Sequence, residues 1–362
     1  MFLAFGEIMM RVCPPGMLRF RQALPGPMDC TFGGGEANVC ASLAILGRPV
    51  RYLTALPKHA VADALIGTLR GLGIDTGTIL RRDAGRLGLY FLEAGANQRP
   101  SQVIYDREGS AVMLAAPEEY KFDAALWEVG RLHVTGITPS LSENAFRATL
   151  ELVRRAKENS AIVSCDLNFR KKLWRWRPGT SPQELAAECM TEILPHVDLV
   201  IGNEEDAEKV LGIKAAGTSV EEGHIDAAAY VDVARQIHQR FPNVSLAAIT
   251  LRESLSADHN NWGAMLYDAA TGQAHFAPTD AEGNYRPYEI RDIVDRVGAG
   301  DSFAAGLIYA LDAQEHHEPP QAVRFAVAAS CLKHSIPGDM NYATLPEIEA
   351  LLAGQASGRV QR

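Results

Sequence analysis

Long apolar runs and an excess of positive charge are both missing from this sequence. No apolar run approaches the length of a membrane span, and an N-terminus that carries Glu7 without a preceding basic residue does not resemble a signal peptide. The net charge of −9 is opposite in sign to that expected of a nucleic-acid-binding surface. These absences predict a cytoplasmic protein that binds neither membranes nor nucleic acids.

Cysteine is scarce, and its spacing suits neither a metal centre nor a redox pair. The sequence has six cysteines, and none forms a Cys-x-x-Cys arrangement. Several lie in apolar stretches, where a thiol is usually buried, so we expect a reducing compartment and no disulfides. The pair His316-His317 lies between acidic residues and prolines, which predicts a surface loop rather than a metal site.

Two common nucleotide-binding motifs are also absent. The sequence contains no Gly-x-x-x-x-Gly-Lys-[Ser/Thr], which excludes a P-loop. The glycines within residues 71–77 follow a predicted helix rather than a strand and have the wrong spacing for a dinucleotide fingerprint. We therefore predict a turn there, and a nicotinamide-dependent oxidoreductase is disfavoured.

The sequence does contain the pattern of an α/β protein. Its 362 residues, 47% hydrophobic and 22% charged, suffice for one large domain or two ordinary ones. In the second half, strand-like segments (131–137, 161–167, 199–201, 246–251) alternate with helix-like ones, two of which follow the capping boxes Ser140…Glu143 and Ser181…Glu184. Such alternation predicts a mostly parallel sheet covered by helices on both faces, with ligands at the carboxyl ends of the strands.

The stretch 295–303, Asp-Arg-Val-Gly-Ala-Gly-Asp-Ser-Phe, leads into a predicted helix. Its three small residues, 298–300, let the backbone come close to a ligand, and the free N–H groups of a helix start form an anion site. Asp301 beside such a site suits a base that takes a proton from a hydroxyl while the N–H groups hold a phosphoryl group. Local sequence alone leaves open a simpler role for Asp301 as a helix cap.

The motif Gly298-Ala299-Gly300-Asp301 resembles the C-terminal signature of the PfkB (ribokinase-like) family of carbohydrate kinases. In that family the first three residues form the anion hole and the aspartate is the catalytic base, and the resemblance implies these roles here. With Arg296 in place of a small or β-branched residue, the stretch is similar to the 2-keto-3-deoxygluconate (KDG) kinase branch. The resemblance implies a three-layer α/β/α fold with a mostly parallel central sheet and a small β lid, and ATP and Mg²⁺ as cofactors.

A second signature lies near the N-terminus, in the order that the family has. Gly34, Gly35, Asn38 and Gly47 resemble the turn and helix on which the family's sugar lies against the backbone. Cys40 replaces a smaller residue, and the glycines expected near residues 56–58 are absent. The resemblance implies that Gly34, Gly35 and Asn38 bind the sugar.

The resemblance also divides the chain into a main domain (1–10, 32–86 and 108–362) and a lid (11–31 and 87–107). Tyr105-Asp106-Arg107 resembles an element of KDG kinases, which implies that Tyr105 and Arg107, with Tyr90, contact the substrate. The β-branched and aromatic residues of the lid need more cover than a hairpin provides, so we expect a homodimer through the lid.

Arg170 ends the stretch Asp-Leu-Asn-Phe-Arg, which is similar to the Asp-x-Asn-x-Arg of KDG kinases. Because arginine can hold a carboxylate through two parallel hydrogen bonds, Arg107 and Arg170 together predict a substrate with an acid group. The alternative is that Arg170 pairs with a local carboxylate or with the nucleotide phosphates.

The remaining site residues are implied at the nucleotide end. Asn203-Glu204-Glu205-Asp206 resembles the family's Asn-x-x-Glu element, which organises Mg²⁺ and its waters. Aspartate is shorter than glutamate, so Glu205 and Asp206 are expected to act through water. Residues 250–253 stand where many relatives have a glycine-rich nucleotide loop, before an insertion at 254–262. Nucleotide contacts are predicted for Asn168, Asn203, Thr250, Arg252, Gly298, Gly300 and Lys333.

These predictions combine into an ATP-dependent kinase that phosphorylates the terminal hydroxyl of a sugar acid, KDG, to its 6-phosphate. The nearest alternative is a PfkB kinase for a neutral sugar such as fructose. A non-catalytic sugar or nucleotide sensor on the same fold belongs to a different class, and the intact anion-hole motif with Asp301 argues against it.

Overall fold

A nine-stranded sheet lies at the centre of the computed structural model, which describes residues 1–213 and 227–355. The strands are β1 Phe2–Phe5, β2 Met9–Cys13, β3 Asp29–Gly33, β4 Val50–Leu53, β5 Ala55–Pro57, β6 Leu80–Arg82, β7 Leu89–Glu93, β8 Gln102–Asp106, β9 Arg131–Thr135, β10 Ile162–Asp166, β11 Leu199–Asn203, β12 Leu246–Ser254, β13 Asn260–Asp268, β14 Gln273–Ala277 and β15 Tyr288–Ile290. The central order is β14-β13-β12-β11-β10-β9-β1-β4, with β15 paired to β13. The run from β4 to β12 is parallel and β13 to β15 pair antiparallel, so the sheet is mostly parallel, as predicted.

Helices cover both faces of this sheet. They are α1 Phe20–Ala23, α2 Gly35–Ile45, α3 Ala60–Gly71, α4 Ala111–Leu114, α5 Phe122–Leu126, α6 Glu143–Glu158, α7 Pro182–Ile193, α8 Glu204–Leu211, α9 Ala227–Arg240, α10 Ala299–Leu311, α11 Pro319–Lys333 and α12 Leu345–Leu352. Leu3 and Phe5 of β1 pack in a core with α6, α7 and α9, whereas Ala4 packs in a core with α2, α10 and α11. Alternate residues of a strand face opposite sides, and the predicted three-layer α/β/α architecture is confirmed.

A separate four-stranded sheet, hereafter the small sheet, has the order β3-β2-β7-β8. β2 pairs antiparallel with β3 and parallel with β7, and β7 pairs antiparallel with β8. Both chain segments predicted to form the lid contribute strands to it. We propose that the small sheet is the lid over the sugar.

We propose that the small sheet also forms a dimer interface. β8 lies at its edge, and Ile104 and Tyr105 on that strand are 57% and 41% exposed. An open edge with apolar side chains favours pairing with a second copy. Light scattering at micromolar concentration should therefore give twice the chain mass, and Ile104→Glu should give the monomer mass. A monomeric wild-type protein would exclude this interface.

The strand predicted at 2–12 is wrong as a single element, because it is two strands in two sheets. Gly6 makes the last backbone hydrogen bond toward β4, to Leu53, and Met10 already bonds Gly88 beside β7. The sequence does not reveal the crossing between the sheets, because Glu7 and Ile8, which connect the two strands, are also buried.

Two other local predictions are corrected. The cap of α6 is Ser142, whose side chain accepts the N–H of Ala145, whereas Ser140 donates to the carbonyl of Ile137. The strand predicted at 246–251 continues to Ser254 and pairs with β13 along its whole length, so residues 250–253 lie on a strand. The capping box at Ser181 is present as predicted.

The other sequence expectations concern the cysteines, the histidine pair and membrane spans. All six cysteines are free. His316 and His317 lie in a turn, where His316 is close enough to Glu315 and Glu349 to share a metal ion with them. Within residues 1–213 and 227–355, every helix is too short or too polar to span a bilayer.

Candidate active site

A cavity of about 800 Å³ opens between the small sheet, the carboxyl ends of the central strands and the start of α10. The predicted site residues that line it are Gly34, Gly35, Asn38, Tyr90, Tyr105, Arg107, Asn168, Arg170, Asn203, Glu205, Asp206, Thr250, Arg252, Gly298, Ala299, Gly300 and Asp301. Parallel strands end at one edge of the sheet, which explains why residues far apart in sequence meet here.

The start of α10 has the geometry of an anion hole. Gly298 is the residue before the helix, with φ +82° and ψ 1°, a left-handed conformation that glycine adopts without strain. In the described chain, no backbone acceptor takes the N–H groups of Gly300 and Asp301. These groups are free to bind an anion in the cavity.

Gly298→Ala should reduce the free energy of unfolding by more than about 1–2 kcal/mol, because a left-handed conformation strains a residue with a Cβ. A Cβ at this position would also lie 1.9 Å from the carbonyl oxygen of Asp339. Gly300→Ala is the matched control, since a Cβ there would meet no atom of the described residues within 4 Å and alanine favours a helix by up to about 1 kcal/mol. Urea denaturation measures both variants. Equal stabilities would contradict the described geometry.

Asp301 lies in the first turn of α10, where the two sequence signatures meet. Its Oδ2 accepts a hydrogen bond of 2.7 Å from Nδ2 of Asn38, and a Cβ on Gly35 would lie 3.6 Å from its Oδ1. Burial raises the pKa of Asp301 to about 6, an effect that the Asn38 hydrogen bond partly offsets. Within the described chain, no backbone N–H donates to the Asp301 carboxylate, so the capping alternative is excluded and Asp301 is available as a base.

Arg107 lies at the wall that the small sheet forms, paired with an acidic residue that sequence reasoning missed. Its Nε donates to Oε2 of Glu7 at 2.6 Å, and its terminal nitrogen contacts the same oxygen. The guanidinium lies 5.5 Å from the ring centroid of Tyr105. Oε1 of Glu7 is buried in the lining of the cavity and has no hydrogen-bond partner among residues 1–213 and 227–355, so a substrate hydroxyl could donate to it.

Arg170 follows β10 of the central sheet and lines the same cavity as Arg107 of the small-sheet wall. Its side chain is exposed, and the part of the chain that the structure describes gives its guanidinium no hydrogen bond or ion pair. Its charge lowers the pKa values of Asp166, Asp206 and Asp301 against the dominant effect of their burial. The predicted local pairing is therefore absent among the described residues, and Arg170 can bind an anionic ligand.

The nucleotide end of the cavity has oxygen donors that suit Mg²⁺. Asp206 accepts the backbone N–H of Phe169 at 2.9 Å and that of Asn203 at 3.1 Å, so both of its oxygens already have partners. Glu205 lines the cavity and pairs with Lys209. These donors fit a hydrated Mg²⁺ held through water better than a directly ligated ion.

The model of the pfkB family of carbohydrate kinases matches residues 4–248 and 265–345. Both glycine-rich signatures, with Asn38 and Asp301, lie within the matched ranges. The chain belongs to the PfkB family of carbohydrate kinases. This PfkB kinase therefore has the ribokinase-like fold that its three layers indicate.

Relatives of this kinase include enzymes named for sugar acids. It is 28% identical over 356 residues to the 2-dehydro-3-deoxygalactonokinase of Haloferax volcanii, covering 98% of both chains. It is 26% identical over 310 residues to the 2-dehydro-3-deoxygluconokinase of Bacillus subtilis, covering 85% of this chain and 82% of the relative. The crystal structure of 2-dehydro-3-deoxygluconokinase from Thermotoga maritima is 41% identical and covers 98% of this chain and 99% of its own, with a TM-score of 0.87. The enzyme is thus a carbohydrate kinase similar to 2-dehydro-3-deoxygluconokinase, a name that denotes the kinase of KDG.

The prediction that Lys333 of this kinase contacts the nucleotide is contradicted by its burial. Lys333 is fully buried, and its Nζ donates to the carbonyls of Ile336 at 2.9 Å and Asp295 at 3.5 Å. It does not line the cavity. A buried ammonium needs such partners to offset the loss of its hydration.

Sequence reasoning missed Asp339, which touches the predicted Tyr90. The Tyr90 hydroxyl donates to the Asp339 carboxylate at 2.5 Å, and Asp339 lines the cavity. The signal available was its place in the motif Gly338-Asp339-Met340-Asn341, which resembles one KDG kinase subgroup.

Proposed function

We propose that this kinase transfers the terminal phosphoryl group of ATP to the terminal hydroxyl of KDG, giving the 6-phosphate. The observation that carries the proposal is that Arg107 and Arg170, from separate elements, line the cavity that contains Asp301. A sugar acid has a carboxylate for the arginines and a hydroxyl for the base at its other end. The names of the relatives support the same substrate.

The sugar lies along Gly34 and Gly35 in this proposal, with its carboxylate at the two arginines. Asp301 takes the proton of the terminal hydroxyl, whose oxygen then bonds the γ-phosphorus of ATP. The bond from that phosphorus to the bridging oxygen of ADP breaks, and ADP leaves. The N–H groups of Gly300 and Asp301 hold the oxygens of the phosphoryl group during the transfer.

We propose that the nucleotide lies over Asn168, Asn203, Thr250 and Arg252, which line the other half of the cavity. Glu205 and Asp206 would hold the waters of Mg²⁺. Held there with ATP, Mg²⁺ would supply positive charge that offsets the negative charge of the phosphates. The chain's own part is to orient the phosphates toward the start of α10.

The pH dependence of kcat/KM should have an acid limb near pH 6, because burial raises the pKa of Asp301 to about 6. Below that pH the carboxyl is protonated and cannot accept the proton of the substrate, so activity falls as pH falls; above it activity reaches a plateau. Burial also raises the pKa of Glu36, to about 7, and Glu36→Gln is therefore the control. The limb should persist in that variant, and its disappearance would assign it to Glu36.

A neutral sugar such as fructose is the second candidate substrate, and one observation favours it. Glu7 already neutralises Arg107, so the small-sheet wall carries less positive charge than two unpaired arginines would. If the substrate is nevertheless a sugar acid, Arg170 is the principal binding site for its acid group.

A panel of substrates tests the proposed function. Coupled ADP release should give kcat/KM for KDG at least about 100-fold above that for fructose or ribose, since charged hydrogen bonds to the carboxylate contribute about 1.5–3 kcal/mol each. Equal activity on fructose would overturn the sugar-acid assignment and leave the kinase assignment intact.

A further inference from the structure

Arg11, on β2 of the small sheet, is buried between two carboxylates that lie far along the chain. Its two terminal nitrogens donate to Oδ2 of Asp295 at 2.6 Å and to Oδ1 of Asp339 at 2.9 Å. The Arg11 side chain is 7% exposed and those of its partners are 8% and 5% exposed. A single guanidinium thus ties the small sheet to two segments of the main domain.

Asp295 links Arg11 to the loop that precedes the anion hole. Its Oδ1 accepts the N–H of Val297 at 3.0 Å, and its Oδ2 accepts the N–H of Gly338 at 3.0 Å. Val297 directly precedes Gly298, at the start of α10. The carboxylate that Arg11 holds therefore fixes the loop that leads into the anion hole.

Asp339 makes a second connection, to the sugar side. A Cβ on Gly33, next to the sugar-binding turn, would lie 2.2 Å from its carboxylate, and a Cβ on Gly298 would lie 1.9 Å from its carbonyl oxygen. Asp339 thus lies between the sugar-binding turn and the anion hole. Arg11 and Tyr90 of the small sheet both donate hydrogen bonds to its carboxylate.

We propose that Arg11 is a positioning residue for phosphoryl transfer, which aligns the anion hole with the sugar site by joining Asp295 and Asp339 to the small sheet. The proposal rests on the proposed role of Asp301 as the base. Phosphoryl transfer depends on placement, and a displacement of about 1 Å costs about 100-fold in rate. Arg11 touches no reacting atom and acts through the two carboxylates.

If Arg11 had only a structural role, its removal would change stability but not kcat. Another buried arginine–aspartate pair in the chain serves as a matched comparison. Arg131 of β9 has a side chain that is 8% exposed and donates two hydrogen bonds to Asp312. It lies at the start of its strand and borders a different cavity, near Met1 and Phe2. Arg131→Met therefore removes a similarly buried arginine outside the active site.

The charges around Asp301 give the proposal a second readout. The groups that act on its carboxylate are Glu36, Asn38, Asp166, Arg170, Lys333 and Asp339. Asp339 raises the pKa of Asp301, and Arg11 is the cation that offsets Asp339. Removal of Arg11 should therefore disfavour ionised Asp301 and move the acid limb of kcat/KM to higher pH.

The test compares Arg11→Met, Arg11→Lys and Arg131→Met in the ADP-release assay with the best sugar substrate, corrected for the folded fraction. Arg11→Met should lower kcat by about 10- to 100-fold with the KM for ATP within about 3-fold, and should raise the pH of the acid limb. Arg11→Lys keeps the charge and should restore the limb and part of kcat. Arg131→Met should change thermal stability only.

Wild-type kcat and pH profile in Arg11→Met, or the same losses in Arg131→Met, would overturn the proposal. If Arg11→Met does not fold, Asp295→Asn replaces it, because it keeps the side-chain size and should lower kcat by about 10-fold through the same loop; wild-type kcat in that variant also overturns the proposal. Asp301→Asn in the same assay separates the two hypotheses. Turnover by Asp301→Asn would refute the role of Asp301 as the base. Loss of turnover in Asp301→Asn, together with wild-type activity in Arg11→Met, would refute only the positioning role of Arg11.

Discussion

Asp301→Asn should lower kcat by about 10²–10⁴-fold, the usual contribution of a positioned base. The amide cannot take the proton of the substrate hydroxyl, and its size preserves the packing beside Gly35. Asn38 donates to Oδ2 of the wild-type carboxylate at 2.7 Å, a bond that the amide oxygen can still accept. Substrate and ATP should therefore bind with affinities within about 3-fold of the wild type.

Single-turnover kinetics and equilibrium titration measure the two parts of this prediction separately. Asn38→Ala is the companion variant, because it removes the donor and leaves the base in place. It should reduce kcat less than Asp301→Asn does. Turnover of Asp301→Asn within a few-fold of the wild type would show that another group accepts the proton.

Arg107→Ala should raise the KM for KDG by about 10- to 100-fold, because a charged hydrogen bond to a carboxylate contributes about 1.5–3 kcal/mol. The loss has a second source in this protein. Glu7, whose side chain is 3% exposed, would lose its partner, and its buried carboxyl would face the carboxylate of the substrate. The KM for ATP should stay within about 3-fold, since Arg107 lies at the other end of the cavity.

A double variant separates the two sources. Arg107→Ala with Glu7→Gln removes the unpaired carboxyl and should recover part of the lost affinity, which a double-mutant cycle quantifies. Arg86→Ala is the control, because Arg86 forms an exposed pair with Asp106 near the same sheet and does not line the cavity. An unchanged KM for KDG in Arg107→Ala would place the carboxylate elsewhere, with Arg170 as the next residue to test.

The parts of the site that could be predicted from sequence are those formed by residues that are close together along the chain. Gly298 to Asp301 combine a left-handed turn, free N–H groups and a carboxylate within one helix start. Gly34 to Asn38 form the other short glycine-rich turn that leads into a helix, the proposed sugar turn. The strand–helix alternation likewise predicted the central sheet, because its strands are buried on both faces.

The parts that could not be predicted depend on pairings across the fold. Glu7 meets Arg107 100 residues later, Tyr90 meets Asp339 249 residues later, and Arg11 meets Asp295 284 residues later. No local pattern marks such partners. For Glu7, the only signal in the sequence is that an acidic residue lies within an apolar segment. Lys333 was assigned to the nucleotide for the same reason, since nothing in α11 indicates that backbone carbonyls enclose its ammonium.

Phosphorus NMR of the product tests most directly that Asp301 serves the terminal hydroxyl of a sugar acid anchored by the arginines. With KDG, ATP and Mg²⁺, the wild-type enzyme should form one phosphate ester whose phosphorus couples to the two protons of the terminal CH₂ group, and Asp301→Asn should form almost none. Phosphorylation at another hydroxyl, or release of inorganic phosphate alone, would contradict the account.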